Sequence, residues 1–343
     1  MKCCIASKFG EIDTVLSMTT DRPPPTLRPE GGQMIIRVDA CSLTPLDCYM
    51  LKGSVVQPPA FPYIPGMGVC GVVAKIAETA KFEVGDRVIA SNGLPPVGGL
   101  AEYMVVSISN ADLAPVNLDA VAAAALPNSA MAALVIFRRA RVTAGERVMV
   151  LGGSGGVGTA LVQLLKCSGV SFIASTSTDE PLMKSLGVDA VIDYRTTKWW
   201  EIPEFQKQPF DLVVDCVGGR DEWREADHHG VLKPGGTGGR YLVIALEEPK
   251  TQTLCDGVRA VLPALWRTMW TSITPWKPRY EFVAPTASTD DWPQLTRLVE
   301  EKIMKPVLDP ASPFPFTIEG VRQAFQLQAS KHAHGKVVVK ISQ

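Results

Sequence analysis

The 343-residue chain has no surplus of charge: 34 lysines and arginines stand against 35 aspartates and glutamates, a net of −1. Nothing in that balance draws in nucleic acid or an anionic membrane, so small molecules are the expected partners. The eight cysteines (Cys3, Cys4, Cys41, Cys48, Cys70, Cys167, Cys216 and Cys255) contain no C-x-x-C pair, and no secretory leader precedes them. That pattern suits a reducing compartment, with a cytoplasmic placement expected and a mitochondrial one left open; most of these thiols are expected buried and free. Histidine is scarce at four, as His228/His229 and His332/His334 in polar stretches that read as solvated loops. The longest uncharged run, "AVAAAALPNSAMAALVIF" from Ala120 to Phe137, is alanine-rich and interrupted by Pro127, Asn128 and Ser129, so it reads as core helix and not as a membrane span.

What is present divides in two, as the length suggests. Up to about residue 120, "GGQMIIRVDA", "GVCGVVAKI", "GDRVIA" and "GLAEYMVV" are β-branched runs punctuated by Gly, Pro and Asn, which predicts a mostly β domain. Beyond it, "RVMVL", "SFIAST", "AVIDY", "DLVVDCVG" and "RYLVIA" alternate with helical stretches, the signature of parallel strands with crossover helices. Val157, Leu161, Leu164 and Leu165 share one helical face between the first two of these runs. Near the end, "DDWPQLTRLVEEKIMKP" predicts a helix through Trp292, Leu295, Leu298 and Val299, and "GKVVVKI" a closing β tail.

Between "RVMVL" and its helix lies "LGGSGGVG", in which Gly153, Gly155 and Gly158 satisfy G-x-G-x-x-G. Gly153 is expected to permit the tight turn, Gly155 to let backbone approach a pyrophosphate, and Gly158 to let the helix pack on the strand. Ser154, Gly156 and Val157 complete the loop, and the first helical turn presents free N–H groups to phosphates. This strand-turn-helix context predicts dinucleotide binding over an ordinary flexible turn. At the end of the next strand, Ser175, Thr176 and Ser177 offer hydroxyls where an acidic residue would repel a 2′-phosphate, which favours NADPH. The same three also suit a simple turn; Asp179 follows shortly, and no arginine is adjacent.

The ordered set "ACSLTPLDCYMLKG", "FPYIPGMGVCGVVAKI", "KFEVGDRVIA", "GGLAEYMVV", the glycine loop, "SLGVDAVIDY" and "HGKVVVKI" covers nearly the whole chain and resembles the zinc-independent quinone oxidoreductases of the medium-chain dehydrogenase/reductase family, including the reticulon-interacting branch. The resemblance implies an α/β protein: a GroES-like, mostly β catalytic domain from residues 1–123 and 291–343, and a Rossmann doubly wound parallel sheet over 124–290. It also implies pairing of two copies through an edge strand of that sheet. Zinc-dependent members carry a cysteine, a His-Glu pair and a further cysteine where this chain has Thr44, Met67 with Gly68, and "LPNSAM", so no metal is expected. Without a Lewis acid the acceptor must delocalise incoming charge itself, as quinones and α,β-unsaturated carbonyls do.

The resemblance therefore implies an NADPH-dependent quinone oxidoreductase working by hydride transfer. Enoyl-thioester or alkenal reduction, and a weakly catalytic NADPH-binding scaffold, stand as alternatives. Tyr49 matches a tyrosine near nicotinamide and substrate, where its hydroxyl would donate to the developing negative charge; a packed aromatic is the plain alternative. Thr44 replaces a common asparagine, Ala132 a common threonine, and Asp47 is expected to hold the loop. Lys336 matches a basic position reaching the cofactor, against a surface lysine at a strand start. Tyr194 matches a residue flanking the adenosine 2′-phosphate, and the small residues of "CVGG" (Cys216 with Val217, Gly218 and Gly219) would let a ribose or nicotinamide approach. The segment Leu262 to Tyr280, with Trp266, Trp270 and Trp276, is a lid or a dimer surface, although buried packing is the commoner use of such tryptophans.

Overall fold

The computed structural model describes residues 1–28, 31–54, 60–76, 81–93, 98–218, 221–245 and 254–342, with side chains left undescribed over 254–261. The Gly219 assignment and the Cys255 thiol fall outside that description.

The chain opens with strands β1 (Cys3–Ala6) and β2 (Leu16–Thr19), which pair antiparallel. The larger sheet begins with β3 (Gln33–Ser42), followed by β4 (Gly68–Ile76), β5 (Arg87–Ser91), β6 (Tyr103–Ser107) and β7 (Ala111–Leu113). Ten-residue β3 is its hub, pairing β4 along one edge and β6 along the other. Met34, Ile36 and Val38 alternate inward from β3 and are buried, as the period of two dictates. Helix α1 (Pro45–Lys52) follows β3 directly.

From Met131 the chain enters α2 (Met131–Ala140) and then a wholly parallel sheet of β8 (Arg147–Leu151), β9 (Phe172–Thr176), β10 (Ala190–Ile192), β11 (Leu212–Asp215), β12 (Arg240–Val243) and β13 (Arg279–Phe282). Its strand order is β10-β9-β8-β11-β12-β13, the doubly wound arrangement whose order reverses between β8 and β11. All five runs read from sequence became strands. The edge strand β13, "RYEF", did not stand out, because two of its four residues are charged.

Helix α3 (Gly156–Cys167) crosses from β8 to β9; Leu161, Leu164 and Leu165 are buried, while Val157 is half-buried. Helix α4 (Glu222–His228) puts His228 on its last turn and His229 at its C-cap, so that pair ends a helix and does not lie in a loop. Helix α5 (Leu254–Ser272) links β12 to β13, and α6 (Asp291–Glu300) buries Trp292, Leu295 and Val299. The last elements are β14 (Phe314–Pro315), α7 (Ile318–Ser330) and β15 (Val338–Lys340); β15 pairs antiparallel with β3, Val338 opposite Ser42.

Two compact units result, one of residues 1–131 with 287–343 and one of 132–286. Boundaries read from sequence at 123/124 and 290/291 differ from these by eight and four residues. Each unit has its own apolar core, one around Ile36, Leu51 and Phe325, the other around Met149, Phe210 and Tyr241. The stretch Ala120–Ala140 is long and apolar enough to cross a bilayer, and 61% of its most apolar window is buried inside the protein.

Candidate functional site

In the parallel-sheet unit, β8 ends at Leu151 and the chain turns left-handed at Gly152, φ +75°, where a side chain would be strained. The tight turn thus belongs to Gly152 and not to Gly153, whose φ lies outside the left-handed region. Gly153 is needed for another reason: a Cβ there would lie 1.9 Å from the Ser175 hydroxyl oxygen and 2.7 Å from Met183. Gly158 must also stay bare, because a Cβ would meet the Gly152 carbonyl oxygen at 2.4 Å and Gly153 Cα at 2.6 Å. Gly155 differs from both. Among the described residues a Cβ there would meet only Gly152 O, at an ordinary 3.4 Å.

Gly155 is the N-cap of α3 and has no side chain to cap it. The N–H groups of Gly156, Val157 and Gly158 therefore have no intrahelical acceptor, and residues 154–157 are half-exposed. The positive end of a twelve-residue helix at a bare, half-exposed glycine turn fits a diphosphate.

Of the three hydroxyls at the end of β9, only that of Thr176 holds this turn. Ser175 is fully buried and donates to Val150 O at 2.9 Å, so its hydroxyl is committed to the sheet. Thr176 Oγ1 accepts the Gly152 N–H at 2.8 Å, and Thr176 O accepts the Gly153 N–H at 3.1 Å. Ser177 Oγ accepts the Asp179 N–H at 2.9 Å. Asp179, three residues past the end of β9, caps the next helix by accepting the Leu182 N–H at 2.9 Å.

Strand pairing also brings in a cation that sequence order concealed. Thr176 is opposite Ile192, and three residues beyond Ile192 stands Arg195, gripping Asp193 through Nε at 2.9 Å and a terminal nitrogen at 2.6 Å. The guanidinium holds the Asp193 carboxyl down at about 2. Tyr194, 41% exposed, lies between them. The signal was the "DYR" after β10, which becomes informative only once β10 is placed beside β9.

Cys216 and Val217 follow β11. Cys216 is half-buried, with burial pushing its thiol well up, and Val217 is exposed next to the glycine turn, since a Cβ on Gly152 would come within 2.7 Å of it. Sequence reading missed Asp215 beneath them. Its Oδ1 accepts the N–H groups of Val217 (2.9 Å) and Gly218 (2.8 Å), and its Oδ2 the Tyr241 hydroxyl (2.8 Å). Burial raises its pKa. An Asp followed within three residues by a left-handed Gly was the available sign.

The other unit holds Thr44, Tyr49 and Lys336. Thr44 is the N-cap of α1, and Asp47 Oδ2 accepts both its backbone N–H and its hydroxyl, each at 2.8 Å. Asp47 Oδ1 accepts the Gly66 N–H at 3.0 Å, which ties α1 to the loop before β4. Burial pushes the Asp47 carboxyl up to about 6 against these hydrogen bonds and the attraction of Lys336. Lys336 is 4% exposed and donates to Leu43 O, so it is no surface lysine; burial pulls its ammonium down to about 8. Tyr49 is half-buried on α1.

Beside these groups the fold leaves no room for a side chain at Gly68: a Cβ would stand 2.4 Å from Asn128 Nδ2 and 3.0 Å from Ser42 Oγ. Among the described residues no cluster of three His, Cys, Asp or Glu could hold a metal ion. Cys3, Cys4, Cys41, Cys48 and Cys70 are buried free thiols, whereas Cys167 is exposed. The tryptophans of this segment divide: Trp266 on α5 is 64% exposed and Trp276 just beyond it 65%, whereas Trp270 on α5 is 37% exposed and packs edge-on against buried Trp223.

Two family models match the chain, the alcohol dehydrogenase GroES-like domain over residues 30–117 and zinc-binding dehydrogenase over 186–339. Among curated proteins, the chloroplastic NADPH-dependent alkenal/one oxidoreductase of Arabidopsis thaliana is 32% identical over 350 aligned positions, covering 99% of this chain and 79% of that protein. The 2-methylene-furan-3-one reductase of Solanum lycopersicum is 31% identical with the same coverages, 99% and 79%. Among solved structures, a quinone oxidoreductase from Coxiella burnetii superposes with a TM-score of 0.78 at 24% identity, covering 99% of each chain, a likeness of fold. The chain belongs to the medium-chain dehydrogenase/reductase family, in its quinone oxidoreductase-like branch.

Proposed function

We propose that this protein is an NADPH-dependent reductase of quinones and α,β-unsaturated carbonyls. The observation that carries the reading is the turn from Gly152 to Gly158. Protein atoms crowd the missing Cβ positions at 153 and 158, while the one at 155 is left clear beside the free end of α3. The relatives' names supply the substrate class, since they are alkenal and enone reductases that use NADPH or act on conjugated ketones.

When bound, the reduced nicotinamide supplies a hydride to a conjugated acceptor. In this reading the N–H groups of Gly156 to Gly158 hold the diphosphate, and Val217 covers the turn. Arg195 and Tyr194 take the 2′-phosphate, helped by the hydroxyls of Thr176 and Ser177. Asp179 is occupied at its cap and Asp193 is paired with Arg195, so neither carboxylate stands bare against that phosphate. Lys336 and Asp47 act by fixing Leu43 and Thr44, so the Thr44 hydroxyl is held in place. Tyr49 donates to the acceptor oxygen as negative charge gathers there. A homodimer, a cytoplasmic placement and burial of Ala120–Ala140 as core helix belong to the same reading.

The test is a steady-state panel of NADPH and NADH against 9,10-phenanthrenequinone, 1,4-benzoquinone, a 2-alkenal and crotonyl thioester. NADPH oxidation with a quinone or the alkenal, at least tenfold above NADH in kcat/KM, is the expected result. Tight NADPH binding without turnover on any acceptor would favour the scaffold reading, and a strict NADH preference would overturn the 2′-phosphate assignment.

A further inference from the structure

The strand order of the parallel sheet reverses between β8 and β11, and in such sheets a nucleotide lies in the crevice beyond the ends of those two strands. The register makes the two rims of that crevice level: Asp215 is opposite Leu151, and the Cys216 N–H donates to Leu151 O at 3.1 Å. One rim is the glycine turn that starts at Gly152. The other is the turn over 216–218, whose Val217 is exposed beside Gly152. A single carboxylate folds this second turn back onto its strand. Asp215 Oδ1 accepts the N–H groups of both Val217 and Gly218, at 2.9 and 2.8 Å. Asp215 is itself fixed from two sides, since its carbonyl accepts the Ile244 N–H at 3.1 Å and its Oδ2 accepts the Tyr241 hydroxyl at 2.8 Å. Tyr241 stacks on Tyr280, ring centroids 5.9 Å apart, so the anchor reaches from β11 across β12 to β13. Gly218, φ +68°, closes the turn against the chain beyond β12, where a Cβ would come 2.1 Å from Ala245 O.

We infer that Asp215 is a positioning residue for hydride transfer, setting the 216–218 turn against which the nicotinamide half of the cofactor lies. This rests on the NADPH reading above and adds to it the side chain that aims the reacting end. Each half of a doubly wound sheet takes one mononucleotide. The half built on β8, β9 and β10 carries the diphosphate turn and the Arg195–Tyr194 pair, which leaves the half opened by β11 for the nicotinamide riboside. Asp215 touches no reacting atom and acts through Val217 and Gly218. What the geometry demands of it is an acceptor oxygen aimed at two N–H groups. An asparagine meets that demand with its Oδ1, while its Nδ2 donates to the Tyr241 phenol oxygen. Misplacing a reacting group by about 1 Å costs about a hundredfold in rate, whereas the adenosine phosphates are gripped at the other rim and keep their contacts. Loss of Asp215 therefore registers in the transfer step and spares binding of the adenosine half.

The test pairs two measurements on wild type, Asp215→Ala, Asp215→Asn and Tyr241→Phe. One is single-turnover hydride transfer from NADPH to 9,10-phenanthrenequinone by stopped flow. The other is calorimetric binding of 2′,5′-ADP, the adenosine half alone. Asp215→Ala is expected to slow transfer by about tenfold or more while 2′,5′-ADP affinity stays within about threefold of wild type. Asp215→Asn is expected to restore transfer to within about threefold, with Tyr241→Phe between the two. A transfer rate in Asp215→Ala equal to wild type would overturn the positioning role, and so would parallel losses of transfer and 2′,5′-ADP binding, the mark of a purely structural residue. Should Asp215→Ala fail to fold, Tyr241→Phe decides by the same two readings. A wild type that transfers no hydride would overturn the reductase reading and this inference with it, whereas a working wild type indifferent to Asp215 overturns this inference alone.

Discussion

Gly155 and Gly158 are three residues apart, at the N-cap and in the first turn of α3, yet adding the same methyl group to each should have opposite effects. At Gly158 the new Cβ would collide with backbone at 2.4 Å and 2.6 Å, and backbone cannot swing away, so α3 must lift off β8. Overpacking of this kind costs about 1–3 kcal/mol, which is a fall of about 2–12 °C in the melting temperature of a unit of this size. At Gly155, φ is −73° and the nearest contact is an ordinary 3.4 Å. Losing a glycine N-cap costs a few tenths to about 1 kcal/mol, and the stiffer unfolded chain returns about 0.4–1 kcal/mol, so stability should change by less than about 0.5 kcal/mol. The methyl would then occupy the space left for a diphosphate oxygen, at a cost of about 1.4–3 kcal/mol, or ten- to over a hundredfold in NADPH affinity. Differential scanning calorimetry and NADPH titration of Gly155→Ala and Gly158→Ala measure both quantities. A Gly155→Ala protein that melts normally and binds NADPH as wild type does would refute the placement of the diphosphate at this turn.

Arg195→Ala is expected to raise the KM for NADPH about tenfold while leaving that for NADH unchanged, because only a 2′-phosphate would draw the guanidinium off Asp193; equal changes for both nucleotides would count against it. Asp215→Ala strands two backbone N–H groups and the Tyr241 hydroxyl in the interior, which should cost about 3 kcal/mol by urea denaturation, whereas Tyr241→Phe should cost about 1 kcal/mol. The folded-state pKa of Lys336 lies below its unfolded value, so the unfolded chain holds the extra proton and the stability due to this group rises from pH 8 to 10.5 and is lost as pH falls through about 8. Asp47 has the opposite displacement, raised to about 6, and its contribution falls as pH climbs from 3.8 through that value. In Lys336→Met the rise on the alkaline side should vanish from a plot of melting temperature against pH; its persistence would place that titration elsewhere.

The sequence made legible whatever is local and periodic. The β-branched runs, the glycine spacing and the helical period of Trp292, Leu295, Leu298 and Val299 are properties of a few neighbouring residues, and they became strands, turn and helix in the expected order. Strand β13 escaped because charged residues dilute its apolar pattern. At the site, spacing located the glycine turn but put its tight bend on Gly153: Gly152, one residue ahead of the G-x-G-x-x-G spacing, is the left-handed residue, and only the approach of β9 distinguishes the two. Ser175, Thr176 and Ser177 looked alike in sequence. The sheet buries the first, uses the second to hold Gly152 and turns the third onto Asp179. Arg195 and Asp215 were hidden because their importance comes from what lies one strand away. Lys336 read as a strand-start cation, and only its position behind Leu43 shows it to be interior.

The pairing of β15 with β3 has a consequence for biogenesis. The hub of the first sheet leaves the ribosome early, yet one of its neighbours, and the ammonium that anchors Leu43, are made roughly 300 residues later. In the interval the nucleotide-binding unit is synthesised whole and has every strand it needs. That insert should therefore mature first, while the amino-terminal sheet waits with an open edge, dependent on chaperones until the closing strand arrives.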